Sequence, residues 1–225
     1  MYPYSDVDAK QVEQFADTVY KIARAETVIT HKKSKRTVEA ITVALRFLEQ
    51  EENLPFKYCT FCECMGFAAE ACCYASAFGF KSLISIEISE DSTKLGYIYL
   101  KMIGEEAAQT FSSSVSRFQE RIAVDAEVVY FDCEHIGDLD EGLMIQSFLN
   151  TTRTLLVGSF CIMVTNSPNL KLAQWGAENH LQIILPTTVA KGAADQGYMW
   201  LMRRIDRSDG DDDEGAGAES KAARK

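Results

Sequence analysis

Apolar residues recur along this chain at two different periods, and the change from one period to the other divides it. Val12, Phe15, Val19 and Ile22 follow at helical spacing after Ser5, which can cap a helix with Asp8 three residues on, so an amphipathic helix is expected near the N-terminus. A polar link, His31-Lys32-Lys33-Ser34-Lys35-Arg36, leads to a second helix. It opens at Thr37, carries Val38, Ile41, Leu45 and Leu48 on its apolar face, and is closed off by Pro55.

From Lys57 onward, short apolar runs alternate with helical segments. The pattern predicts a strand from Lys57 to Cys64, a helix from Ala68 to Phe78 stopped by Gly79, and a strand from Ser82 to Ile88. A long helix follows from about Asp91, with Leu95, Ile98 and Met102 on its buried face. Ser112-Ser113-Ser114 breaks it before a further turn with Val115, Phe118 and Ile122. The third predicted strand runs from Ala126 to Asp132. Past Gly137 an acidic loop leads to a helix near Glu141 to Leu149, then to the apolar run Thr154 to Thr165, which suits one good strand or two poor ones divided at Gly158. After Asn166-Ser167-Pro168 a helix can hold Leu170, Leu172 and Trp175, with Asn179 as its stop. Leu181 to Leu185 and Tyr198 to Ile205 close the pattern as a strand pair, which suggests that the last strand enters the sheet antiparallel.

Alternation of this kind predicts an α/β fold: a mostly parallel Rossmann-like sheet with helices on both faces and two helices ahead of it. A chain of 225 residues with 47% hydrophobic content is expected to build one core. The division expected is a helical segment over 1–56, the sheet domain over 57–205 and an acidic tail over 206–225. That tail is almost without apolar residues and is predicted to be disordered. No window approaches the roughly 20 apolar residues that cross a bilayer, and the N-terminus lacks the basic and apolar regions of a secretion signal. A soluble intracellular protein, cytoplasmic or nuclear, is the expectation.

Charge and cysteine narrow the picture. The formal net charge is -10, of which seven acids and four bases in the tail contribute -3, leaving -7 on residues 1–205. A body this acidic argues against generic nucleic-acid binding, where phosphate contacts dominate, and favours basic or neutral partners, a basic protein substrate among them. The seven cysteines, Cys59, Cys62, Cys64, Cys72, Cys73, Cys133 and Cys161, all lie on apolar segments and read as reduced core thiols. Cys59 and Cys62 have the two-residue gap of a zinc pair, but on a strand they point to opposite faces, so no metal is assigned. His31, His135 and His180 stand apart in sequence and read as surface or loop residues, and no nucleophile triad or phosphate-binding glycine loop is present. The basic cluster Lys32 to Arg36 reads first as solvated charge ahead of a helix, with a nuclear localisation signal or a substrate contact as the alternatives.

The candidate chemistry lies at the strand ends. Glu63, Glu87 and Asp132 each close a predicted strand, and in an open parallel sheet ligands bind beyond the carboxyl ends of the strands. A carboxylate ending the second strand matches the two hydroxyl donors of a ribose. The acid ending the third is placed to accept from an adenine amino group, and the first can orient an ammonium.

The segments Tyr58 to Ala69, Ile84-Ser85-Ile86-Glu87 and Val128-Val129-Tyr130-Phe131-Asp132, with the closing strand pair, resemble those of class I S-adenosylmethionine-dependent methyltransferases. Within them the chain is similar to the non-SET histone-lysine methyltransferase group called disruptor of telomeric silencing, over about residues 37–205 as an architecture. The resemblance implies S-adenosylmethionine as cofactor, a protein lysine as acceptor, and a cofactor site at Glu63, Met65, Gly66, Phe67, Glu87, Ile88, Asp132 and Cys133. It names no catalytic residue. The family's first turn reads acid-x-Gly-x-Gly-x-Gly, and laying Glu63 on that acid sets Met65, Phe67 and Ala69 at the three glycines. Only Gly66 remains, out of register, and Asn166-Ser167-Pro168 is a faint echo of the family's acceptor-side asparagine motif. Two readings stay open: an active methyltransferase, and a catalytically inactive binding or scaffold protein that keeps the fold.

Overall fold

A computed structural model of the chain describes residues 35–66, 68–87, 90–102, 109–112, 125–132, 148, 150–165, 180–191 and 196–206. The first element is helix α1, Lys35–Gln50. Its buried face is Val38, Ile41, Ala44, Leu45 and Leu48, the face its sequence period predicts, and Arg36 and Thr37 are buried as well. The expected helix around Val12 to Ile22, the helix around Leu170 to Trp175 and the tail beyond Asp206 lie outside the described residues.

The predicted first strand starts later than its apolar run. Pro55 to Cys59 forms a 3-10 turn over Phe56–Tyr58, closed by the amides of Tyr58 and Cys59 on the carbonyls of Pro55 and Phe56. The turn survives because the Phe56 ring packs on Phe78 and Phe80 at 6.0 and 4.7 Å between centroids. Strand β1 then runs Thr60–Gly66. Helix α2 is shorter than its sequence suggests, Glu70–Ala75, because Ala68 and Ala69 take left-handed φ of 58° and 55° and end the helix on its N-terminal side. A 3-10 turn, Ser76–Phe78, and Gly79 at φ 73° stop it where the glycine predicts. Strand β2 is Ser82–Glu87 and helix α3 is Glu90–Met102.

Sequence reading misses the next element. Strand β3, Gln109–Ser112, lies where a helix break is expected, and pairs parallel with β2 from Ile84↔Gln109 to Glu87↔Ser112. Gln-Thr-Phe-Ser shows one strongly apolar residue and no usable alternation. An edge strand of four residues is held by its backbone ladder, which leaves no mark in the side-chain pattern. The strand predicted as third, Ala126 to Asp132, is therefore the fourth, β4, Val128–Asp132. Helical backbone at 148 and 150–154 leads to a turn in which the Ser159 amide bonds the Leu156 carbonyl and Gly158 sits at φ 92°. Only the second half of the run Thr154 to Thr165 is thus a strand, β5, Phe160–Thr165. Of the last two strands, β6, Leu181–Val189, is longer than predicted, and β7, Gly197–Arg204, has the predicted length one residue earlier.

The described strands form one seven-stranded sheet in the order β3-β2-β1-β4-β5-β7-β6. All neighbours are parallel except β7, which runs antiparallel to both β5 and β6. Strand order reverses between β1 and β4, and a crevice at the carboxyl ends there is the general ligand position of open α/β sheets. Edge strand β6 carries Pro186 and a bulge between Ile183 and Leu185, both of which discourage pairing with another chain. Helices α1, α2 and α3 cover one face together with Phe61, Leu83, Val128, Tyr130 and Ile162; the other face buries Cys62, Cys64, Val129, Phe131, Cys161 and Met163 beneath Phe148 and Leu155. No helix among the described residues is long and apolar enough to cross a membrane.

Candidate functional site

Glu87 and Asp132 end their strands, whereas Glu63 lies midway along β1, which continues to Gly66, and period-two alternation sorts all three acids onto one face. In the pairing register Glu63 lies beside Ser85 on β2 and Tyr130 on β4, so Glu63, Ser85, Glu87, Tyr130 and Asp132 share the face that α1 and α2 cover. All three acids are buried, with Glu63 and Asp132 at 2% exposure and Glu87 at 0%. Buried carboxylates require partners, and each finds its own.

Glu63 caps helix α2 from outside. Ala69 at the N-cap has no side-chain acceptor to offer, and Glu63 Oε2 instead receives the Cys72 amide at 3.0 Å. Burial pushes the Glu63 carboxyl well above the usual carboxylate range; repulsion from Glu87 adds to this, against the amides of Cys72 and Ala71. A third acid, Glu70 in the first turn of α2, adds further repulsion and receives the Tyr74 hydroxyl at 3.1 Å.

Glu87 holds the turn between β1 and α2. Its Oε2 accepts the Ala68 amide at 3.0 Å, its Oε1 accepts the Ala69 amide at 2.7 Å, and Ser85 donates its hydroxyl to Oε1. Burial raises its pKa, and these same three hydrogen bonds pull it back. Helix α3 lies against the turn through Gly96, where a Cβ would come within 3.2 Å of the Ala69 Cβ and 3.3 Å of the Ala68 carbonyl carbon.

Asp132 sits on the other side of β1 from Glu87, at the end of the fourth strand and not the third. Its Oδ1 accepts from Arg36 Nη2 at 3.0 Å, and its Oδ2 from the Tyr130 hydroxyl at 3.1 Å and from Thr37 Oγ1 at 3.4 Å. Strand order thus moves this acid from the β2 side to the far wall of the β1/β4 crevice, away from the adenine position expected of a third-strand acid. Arg36 is fully buried, which corrects the reading of the basic cluster as solvated up to its last member. Its stem crosses the start of β7, where a Cβ on Gly197 would overlap Arg36 Cδ.

Of the remaining predicted site residues, Met65 and Gly66 end β1, and Phe67, Ile88 and Cys133 lie outside the described residues. Sequence reasoning missed Arg36, Ser85 and Tyr130. For two of them a signal existed: Ser85 and Tyr130 stand two residues before Glu87 and Asp132, hence on the same face of the same strand. The described cysteines, Cys59, Cys62, Cys64, Cys72, Cys73 and Cys161, are buried and in no disulfide. Burial pushes Cys72 and Cys73 up, with Glu63 adding to it, so neither is a nucleophile at neutral pH. Among the described residues no group of three or more His, Cys, Asp or Glu side chains is arranged to hold a metal ion.

No protein-family model matches this chain, and no curated protein matches it by sequence. Solved structures match it as folds. The tRNA methyltransferase TrmK of B. subtilis aligns with a TM-score of 0.59 at 12% identity, over 79% of this chain and 68% of that one. A putative RNA methyltransferase of Pyrococcus horikoshii aligns with a TM-score of 0.62 at 10% identity, over 87% and 99%. TrmK of M. capricolum, solved with S-adenosylhomocysteine, aligns with a TM-score of 0.54 at 12% identity, over 70% and 67%. The chain therefore shares the Rossmann-like fold of these proteins, as its strand pattern predicts.

Proposed function

We propose that this chain is an S-adenosylmethionine-dependent methyltransferase acting inside the cell. The observation that carries the reading is the pair of buried carboxylates on one face of adjacent strands, Glu63 midway along β1 and Glu87 at the carboxyl end of β2, in a sheet whose fold matches solved methyltransferases. The residues present fit the cofactor chemically. Mutual repulsion of the two acids favours a ligand bearing positive charge, and S-adenosylmethionine carries a sulfonium and an ammonium. Glu87 would hold a ribose diol through its two acceptor oxygens once its present donors give way, and Glu63 with the N-terminal turn of α2 would receive the ammonium. The cofactor supplies the electrophilic methyl group. The protein's task is to hold a nucleophile in line with it in a dry crevice.

A protein side chain, lysine above all, is the acceptor we favour, in keeping with the resemblance to the disruptor-of-telomeric-silencing group and with the -7 charge of residues 1–205, which draws basic surfaces. One observation favours a second reading. Glu87 already takes three donors from its own chain, as expected of a binding or scaffold protein that keeps the fold without the cofactor.

Titration calorimetry with S-adenosylhomocysteine separates the two. Saturable binding that disappears in Glu87→Ala supports the enzyme, and no heat at millimolar ligand removes it in favour of the scaffold.

A further inference from the structure

The turn between β1 and α2 is held by the very carboxylate that the cofactor would need. Ala68 and Ala69 donate their amides to the two oxygens of Glu87 at 3.0 and 2.7 Å, and Ser85 adds a third donor. An ionised carboxylate offers about four acceptor sites, so three donors leave little room for a ribose diol. Glu87 is 0% exposed, and a ligand reaches it only if the turn moves.

Two features make movement favourable once a competing donor arrives. Ala68 and Ala69 are consecutive residues with a Cβ at φ 58° and 55°, a conformation that costs free energy unless glycine adopts it. The charge-assisted bonds to Glu87 hold them there. The turn also lies against α3 at Gly96, where the helix presents no side chain to interlock with it.

We propose that this turn is an autoinhibitory latch: in the cofactor-free protein the Ala68 and Ala69 amides occupy Glu87, and ligand binding exchanges them for ribose hydroxyls. The inference rests on the methyltransferase reading of the site. It makes binding cost the closed turn, so apparent affinity is lowered by the fraction of molecules held latched.

Hydrogen exchange of the Ala68 and Ala69 amides, followed by NMR on the full chain, tests it. Without ligand, both amides are protected, and Glu87→Gln, which replaces one acceptor oxygen by a donor, speeds their exchange at least tenfold. Equal exchange in wild type and variant overturns the latch whatever the protein binds. With saturating S-adenosylhomocysteine, exchange at both amides speeds up, although bound ligands ordinarily protect such a turn. Binding with unchanged or slower exchange overturns the latch and leaves the methyltransferase reading standing. No binding at millimolar ligand, with both amides protected, overturns the methyltransferase reading and the latch's role with it. Ala69→Gly provides a second arm. It relieves the closed turn, so melting temperature rises and affinity for S-adenosylhomocysteine falls severalfold; a gain in affinity contradicts the proposal.

Discussion

Arg36, at the start of α1, and Asp132, at the end of β4, form a buried ion pair at 3.0 Å across 96 positions of sequence, with side-chain exposures of 0% and 2%. The pair ties the helix ahead of the sheet to the far wall of the crevice.

Removing one partner leaves an unmatched buried charge. Arg36→Met or Asp132→Asn is expected to lower stability by about 3–5 kcal/mol, read as the urea midpoint. The double variant Arg36→Met with Asp132→Asn is expected to cost clearly less than the two singles added, because the desolvation penalty disappears with both charges.

Gly197→Ala tests the same pair from the other side. A Cβ there would overlap Arg36 Cδ and come within 3.1 Å of the Thr165 carbonyl oxygen. The arginine can shift only by loosening its grip on Asp132, so a loss of about 1–3 kcal/mol is expected by thermal or urea unfolding. Combined with Arg36→Ala, which removes the Cγ and Cδ that the new methyl would meet, the alanine should cost clearly less, the contact with the Thr165 carbonyl oxygen remaining.

Glu63 sets a pH dependence whose sign is fixed by its environment. Its pKa is raised on folding, so above the unfolded value near 4.5 the native state binds more protons than the unfolded one. Stability from this group is then present at low pH and is lost as pH rises toward the folded pKa. Urea midpoints measured from pH 4.5 upward should fall less steeply in Glu63→Gln than in wild type.

Gly96 lies mid-helix, where alanine would ordinarily stabilise by about 1 kcal/mol. Here the new methyl meets Ala69 Cβ at 3.2 Å and the Ala68 carbonyl carbon at 3.3 Å, groups with no rotamer to escape into. Gly96→Ala is expected to be destabilising on balance by about 1 kcal/mol, a drop of roughly 2–4 °C in Tm by differential scanning fluorimetry.

The described thiols should resist modification. Burial pushes Cys59 up to about 11 and raises Cys64, Cys72 and Cys73 well above the ordinary thiol value. Iodoacetamide at pH 8, the reaction condition, is expected to leave these four unlabelled in the native protein and to label them after urea, by peptide mass mapping. Rapid native labelling of Cys72 or Cys73 would mean that α2 opens far more readily than its packing implies.

Periodicity alone determined a good deal about this protein. The alternation of two-residue and helical periods specifies strands and helices in order, because a strand must turn one face to the core and a helix one stripe. Gly79 marks its helix end, since a left-handed cap needs no other information. The closing strand pair announces an antiparallel partner, and Glu87 stands visibly at the end of its strand, whereas Glu63, expected at an end, lies midway along β1.

Tertiary structure decided what those residues touch. Strand β3 has no side-chain signature and exists because β2 offers it a ladder, and its insertion moves Asp132 to the fourth strand. Arg36 reads as one more exposed base until α1 lays it over β4, and Glu87 reads as an open ligand carboxylate until the turn folds two amides onto it. Pattern along a chain reports which face is buried. Which donor meets which acceptor depends on how separate elements stack, and that depends on distances in space that spacing in sequence does not encode.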